Sequence, residues 1–483
     1  MGLVGILVAL GALIWLAFRG WSVLLLAPCA ALIAAAFSGE PLLAHWTQTF
    51  MGSASRFVAQ FFPIFLLGAL FGKLMDDSGS VSSIANFMTE KLGSRRAVLA
   101  VVLAGALVTY GGVSLFVAFF VLAPMAQELF RAAAIPQRLT PAAIALGTST
   151  FTMSALPGTP SIQNAIPMPF FGTTPFAAPG LGVIASVIML GFGLWWLSRA
   201  EAAARRKGEG YGGDPAFHLD AAQDEIVRER ATTAHEFDPA EIMHGRHGDS
   251  SPPIALAVLP LVVVVGVNLL MSLFVLPRLD DSFLSEERWG PTTLASVGGV
   301  WAVVVALASA IVTLIAVNYR RLPELRMTMD AGVNASVLPV VSVASLVGFG
   351  AVVAALPAFG LVRDWVLSIE GGPLVSLAVA TNVLASLTGS ASGGLTIALD
   401  ALGETYMRIA EHSGLNPALM HRVAVIGAGT LDSLPHNGAV VTLLAVCDST
   451  HKESYLDIVM VAIVGAVVAL VAVIALGSTF GSF

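Results

Sequence analysis

Predominantly apolar runs of about 20 residues or more recur along this chain, Ile254 to Leu276 and Tyr455 to Leu476 among them, and there are about ten in all. Each is long enough to cross a hydrocarbon core about 30 Å thick as a helix. Charged residues make up 11% of the chain against 56% hydrophobic, where a soluble domain carries about 25% charged residues. With a mean hydropathy of +0.84, a water-soluble fold has no way to hide so much apolar surface. The bilayer is therefore the solvent, and the class is an all-α integral membrane protein.

The runs fall near residues 2–18, 22–37, 57–74, 140–170, 176–197, 254–276, 291–317, 335–357, 417–447 and 456–478. Met1 to Ala17 lacks a basic leading region and a small-residue cleavage site, so it is expected to be the first span. Two further segments, about 97–130 and 373–407, carry Gly, Ser and Thr at their centres and are read as re-entrant hairpins. Irregular backbone is tolerated at membrane depth only when it is buried in protein or lines a cavity. The polar stretch 199–253 is read as a flexible cytoplasmic linker between membrane halves 1–198 and 254–483. Lys and Arg concentrate in cytoplasmic loops. With both termini outside, Arg19, Lys91, Arg95, Arg96, Arg131, Arg138, Arg199, Arg205, Arg206, Lys207, Arg320, Arg321, Arg326 and Lys452 fall inside, against Arg56, Arg278, Arg288, Arg363, Arg408 and Arg422 outside. Treating either hairpin as a full crossing reverses that bias for everything after it.

The halves repeat. At an offset of about 279 residues, Tyr110-Gly-Gly-Val-Ser114 falls on Gly389-Ser-Ala-Ser-Gly393, Gly147-Thr-Ser-Thr150 on Gly427-Ala-Gly-Thr430, and Ser154-Ala-Leu-Pro-Gly158 near Asp432-Ser-Leu-Pro-His436. Each half reads as five crossings plus one hairpin. An odd number of crossings inserts the second half upside down, which gives two inverted repeats with broken helices at the midplane. That arrangement belongs to secondary transporters.

Four short segments carry the candidate chemistry. The first hairpin tip offers Thr109, Gly111, Gly112 and Ser114; the second offers Thr388, Ser390, Ser392 and Gly393. In Ala155-Leu-Pro-Gly-Thr-Pro-Ser161 two prolines within four residues remove backbone donors and stop a helix in mid-span, placing Gly158, Thr159, Ser161, Gln163 and Asn164 at the break. Leu434-Pro-His-Asn-Gly438 does the same beside Ser433, His436 and Asn437. A helix restarting after such a break turns free N–H groups and its positive dipole end into the gap, which favours an anion. Asp432 and His436 are ionisable at that depth, where charge is costly and usually functional, so they are the candidates for ion coupling. Lys73, Asp76 and Asp77 lie at a helix end, where snorkelling to the interface accounts for them. Cys29 and Cys447 sit in apolar runs as small buried hydrophobes. Gly389-Ser-Ala-Ser-Gly393 fits G-x-S-x-G but lacks the strand-to-helix setting of a hydrolase. Neither a metal cluster nor a nucleotide loop is recognisable, so no enzymatic activity, cofactor or nucleic-acid partner is expected.

The segments Gly389-Ser-Ala-Ser-Gly-Gly-Leu-Thr396, Ser433-Leu-Pro-His-Asn-Gly-Ala-Val440 and Leu443-Leu-Ala-Val-Cys-Asp-Ser-Thr-His-Lys-Glu-Ser454 resemble the gluconate permease family, and the resemblance spans nearly the whole chain. It implies a bacterial inner-membrane carrier of the ion transporter superfamily, typically a homodimer. It also implies uptake of gluconate, related sugar acids or short hydroxy acids such as 3-hydroxybutyrate by elevator movement, mostly with protons. The first break, with Leu156, Pro157, Pro160 and Ile162, is more apolar than a sugar-acid site calls for, which favours a short hydroxy acid. Na⁺ coupling is the alternative within carriers, since carbonyls freed by Pro157 and Pro435 suit a cation; an anion channel is the alternative outside them.

Overall fold

The computed structural model describes residues 1–483 apart from 18, 20, 213–250, 291 and 436. His436 and most of the 199–253 segment therefore lie outside the described residues. In the first half, α1 (Gly2–Ala17), α2 (Val23–Ser38) and α3 (Leu42–Asp77) are followed by α4 (Ser80–Leu92). Next come α5 (Ala97–Tyr110) and α6 (Leu115–Ala132), then α7 (Thr140–Thr148), a broken stretch with short helices at Ile162–Ala165 and Pro167–Phe171, and α8 (Pro179–Arg206). The second half repeats this order. Its helices are α9 (Ile254–Leu270), α10 (Leu294–Asn318), α11 (Leu325–Ala355), α12 (Phe359–Leu367), α13 (Pro373–Thr388), α14 (Ala391–Ser413), α15 (Pro417–Thr430), α16 (Gly438–Val446) and α17 (His451–Phe480).

Seven of these helices are long and apolar enough to cross a membrane unaided. Val187, Val262, Val312 and Val471 project from their outer surfaces as lipid-facing side chains do. Hydropathy alone does not separate α4 and α12, the short helices that precede each hairpin. α4 is bounded by Gly79 and Gly93, both at positive φ, and meets the helical segment after it at 100°. The polar segment also begins later than its composition indicates: α8 carries Arg199 to Arg206 as its last turns, because Ala and Arg are strong helix formers.

Packing divides the helices into two groups. α3 and α11, the third long helix of each half, form the most extensive pairing among the described residues, and α2 and α10 lean on them. A small separate core ties α1 and α2 to α11 through Leu13, Leu26, Phe349 and Val352. The other group joins both helix–turn–helix units, both broken stretches, α8 and α17. Its two halves are pinned to one another: Gln137 Nε2 donates to the Cys447 carbonyl at 3.2 Å, Arg138 pairs with Asp457 at 2.7 Å, and Trp196 Nε1 donates to the same carboxylate at 2.9 Å.

Arg422, expected in an outer loop, is instead fully buried in this second group. Its guanidinium donates to the Ala177 carbonyl at 2.7 and 3.2 Å, to the Ser154 carbonyl at 3.2 Å and to Asn164 Oδ1 at 3.4 Å. It is a strut from the second half onto the first break, whose unpaired carbonyls are the acceptors a buried guanidinium needs. Of the two cysteines, Cys447 is buried and Cys29 lies on an exposed helix face.

Candidate functional site

Both hairpin turns and both breaks open onto one cavity of about 240 Å³ between the two helix groups. One wall is formed by α3 from Ile64 to Lys73 and by α11 from Ala335 to Leu346. The other is formed by Thr109, Gly112 and Ser114; by Pro160, Ser161 and Gln163; by Thr388, Gly389, Ser390 and Ser392; and by Asp432. Segments hundreds of residues apart thus meet at one cavity.

Local chemistry explains each turn. Gly112 has φ +98°, a conformation closed to other L-residues at low cost, and a Cβ there would lie 2.8 Å from Pro160. Ser114 then caps α6, accepting from the Phe116 N–H at 3.3 Å. In the second hairpin Gly394 lets the two arms touch backbone to backbone: a Cβ there would sit 2.2 Å from the Ala385 nitrogen. Ser390 caps α14 by accepting from the Gly393 N–H at 3.2 Å.

Asp432 and Asn437 organise the second break. Asp432 Oδ1 accepts the Ala391 N–H, at the first residue of α14, at 2.7 Å, and the Asn437 amide at 2.8 Å. Asn437 Nδ2 also donates to the Gly389 carbonyl at 2.8 Å, while its Oδ1 caps α16 by accepting from Ala439 at 2.7 Å. Residues 431–435 are not helical, so Asp432 sits in irregular backbone and not on a helix face. The carboxylate at the start of α14 is therefore the protein's own, in the place expected for a ligand anion.

Some candidates are structural. Asn164, fully buried, donates to the Thr159 and Pro175 carbonyls at 3.0 Å each, and His421 Nε2 lies 3.1 Å from its Oδ1. Thr159 and Gly158 are buried behind the cavity wall, and Asn268 of α9 donates to the Gly158 carbonyl at 3.0 Å. Gly111 faces Leu261 of α9, Gly393 faces Leu346, and Ser433 is buried with its carbonyl accepting from Tyr455. The carbonyls of Pro157 and Pro435 each have a donor, Tyr110 Oη at 2.9 Å and His451 Nε2 at 2.8 Å.

The cation in the wall is Lys73. It does not snorkel to the protein surface: Lys73 and Asp76 are each 4% exposed and Asp77 is fully buried. Lys73 Nζ lies 2.9 Å from Asp77 Oδ1 and 4.0 Å from Asp76 Oδ2, and Thr328 of α11 donates to Asp77 Oδ2 at 2.6 Å. A stem packed along α3 beside the cavity, with carboxylates one turn on, keeps the ammonium inside. Lys73 and Asp432 are the ionisable side chains lining the cavity among the described residues.

A GntP family permease model matches residues 1–168. An uncharacterised transporter of Bacillus subtilis, YxjC, is 40% identical over 99% of both chains. The chain belongs to the GntP family of permeases. Among solved structures this GntP family chain is similar to Neisseria gonorrhoeae MtrF, described as illuminating a class of antimetabolite efflux pumps, at TM-score 0.54 and 13% identity over 91% of this chain and 85% of that one. It is also similar to the Alcanivorax borkumensis YdaH transporter, described as having an unusual topology, at 0.51 and 14% over 91% and 89%. At those identities the likeness is one of fold alone.

Proposed function

We propose that this permease is a secondary active carrier that takes up a small organic carboxylate with a proton. The observation behind this reading is the meeting of both hairpin turns and both breaks at one cavity whose lining carries Lys73 and Asp432. An anion in a largely apolar cavity needs a cation beside it, and Lys73 supplies one, while the helix starts already have side-chain caps in Ser114, Ser390 and Asn437. A lining dominated by apolar side chains such as Ile64, Phe65, Val113, Leu115 and Met153 suits a short hydroxy acid such as 3-hydroxybutyrate better than a gluconate-like sugar acid with its many hydroxyls. Asp432, half-buried between two helix starts and open to the cavity, is the coupling site. A proton is favoured over Na⁺ because the carbonyl freed by Pro157, that of Met153 four residues earlier, already accepts from Ser161 Oγ at 2.8 Å.

The two packing groups supply an elevator. In this reading the inverted halves bring the hairpins and breaks together as the moving body, with α2, α3, α10 and α11 as the frame, in a homodimer whose termini face the periplasm. A monoanion carried with one proton is electrically neutral, so the pH gradient alone drives it.

Uptake of radiolabelled 3-hydroxybutyrate or gluconate into proteoliposomes tests this. Intact acid is expected to accumulate under an inward proton gradient and to saturate. Accumulation driven by a Na⁺ gradient but indifferent to pH replaces the proton by Na⁺, and flux without accumulation makes the protein an anion channel.

A further inference from the structure

Two polar atoms in the cavity wall have no hydrogen-bond partner within the protein: Oε1 of Gln163, just after the first break, and Oγ of Ser342 on α11. Both are buried, and an orphaned buried polar atom is costly enough that native chains keep few without a use. Neighbouring hydroxyls are spent. Thr109 donates to the Gly105 carbonyl at 2.8 Å, Ser161 to Met153 at 2.8 Å, Ser336 to Val333 at 2.7 Å and Thr388 to Leu384 at 2.8 Å, and Ser390 and Ser392 bond one another at 3.2 Å. Among the described residues, these two are the buried side-chain polar atoms of the wall without a partner.

The two differ in what they ask of a ligand. A serine hydroxyl both donates and accepts, so it does not tell a carboxylate oxygen from a hydroxyl. An amide oxygen only accepts, and a carboxylate has no proton to give it. We infer that Gln163 is the specificity-determining residue that reads a hydroxyl on the substrate, its Oε1 accepting that hydroxyl's proton while Lys73 faces the carboxylate. This deepens the carrier reading and rests on it. A site that hydrogen-bonds a substrate hydroxyl rejects the analogue lacking it, because the site's own polar atom is then left unpaired.

The test measures binding to the purified full chain of matched acids differing by one hydroxyl: 3-hydroxybutyrate against butyrate, and lactate against propionate. In the wild type the hydroxy acid of the fitting pair is expected to bind about tenfold tighter or more. Gln163→Met, equal in length but without an acceptor, is expected to bring that ratio to about one, and Gln163→Asn to fall between. Because the ratio is taken within each protein, a general loss of affinity cancels; if the Met variant does not fold, the Asn variant carries the test. A ratio near one in the wild type, or an unchanged ratio in folded variants, overturns the role of Gln163 and leaves the carrier standing. If none of these acids nor gluconate is bound or taken up, the carboxylate reading falls first and this inference with it.

Discussion

Asn437 is where the second break is most exposed to a single substitution. Its side chain, 1% exposed, makes three hydrogen bonds: to the Gly389 carbonyl, to Asp432 and from Ala439. Asn437→Ala removes a helix cap worth about 1 kcal/mol and a hydrogen bond to a charged group worth about 1.5–3 kcal/mol. It also orphans the Gly389 carbonyl, which costs about 1–3 kcal/mol. Taken together these reach about 3.5–7 kcal/mol. Gly389 and Asp432 both line the cavity, however, so water can replace part of what the amide supplied. A loss of about 3 kcal/mol is therefore expected. Asn437→Ser keeps a capping oxygen and should recover only the cap, about 1 kcal/mol. Thermal unfolding in detergent micelles, read beside uptake in proteoliposomes, checks the order wild type, Ser, Ala. If Ala and Ser are equally stable, the cap contributes nothing; if both match the wild type, the account of the break as held by this amide is wrong.

Lys73→Met should lower acid uptake by about a hundredfold or more by leaving the substrate anion unpaired, while Lys73→Arg keeps part of it; equal uptake by Met and wild type removes Lys73 from the site. Asp432→Asn keeps an acceptor for the Ala391 N–H but cannot cycle a proton, so counterflow exchange should persist while pH-driven accumulation is lost. Accumulation that still follows the pH gradient places the coupling elsewhere. Gly112→Ala forces a Cβ to 2.8 Å from Pro160 at φ +98°, with an expected cost of about 1–3 kcal/mol and impaired uptake; wild-type stability would show that the turn relaxes freely. Arg422→Met leaves the Ala177 and Ser154 carbonyls without its donors, and a drop in thermal stability of about 2–4 kcal/mol is expected, against none if the strut is idle.

Much of the site was legible because glycine and proline interrupt otherwise unbroken apolar runs. Tyr110-Gly-Gly, Pro157 with Pro160, Gly389 to Gly394 and Pro435 mark the places where helices fail, and those places converge on the cavity. Lys73 was misread because hydropathy ends a span at its first charge, while its burial is set by packing: α3 lies along α11, and Thr328, 251 residues after Asp77, donates to that carboxylate. Arg422 was misplaced for the same reason, its acceptors lying on the first break some 245 residues earlier. Ser342 carried no signal at all, since a serine in an apolar helix usually serves close packing. Nor did sequence foretell that Asp432 would cap α14, which is a distance and not a spacing.

The backbone contact between Gly394 and Ala385 has a mechanical consequence. Two arms pressed together at that point cannot part like the jaws of tweezers without breaking the fit that the missing side chain permits. The second hairpin is accordingly a lever and not a flap. In the elevator proposed above, the whole lever slides along α11, where Ile397 packs against Gly350 and Leu346 against Gly393. Under that proposal the grain of the surface, made of small and branched apolar side chains, sets how far the lever travels and where it comes to rest.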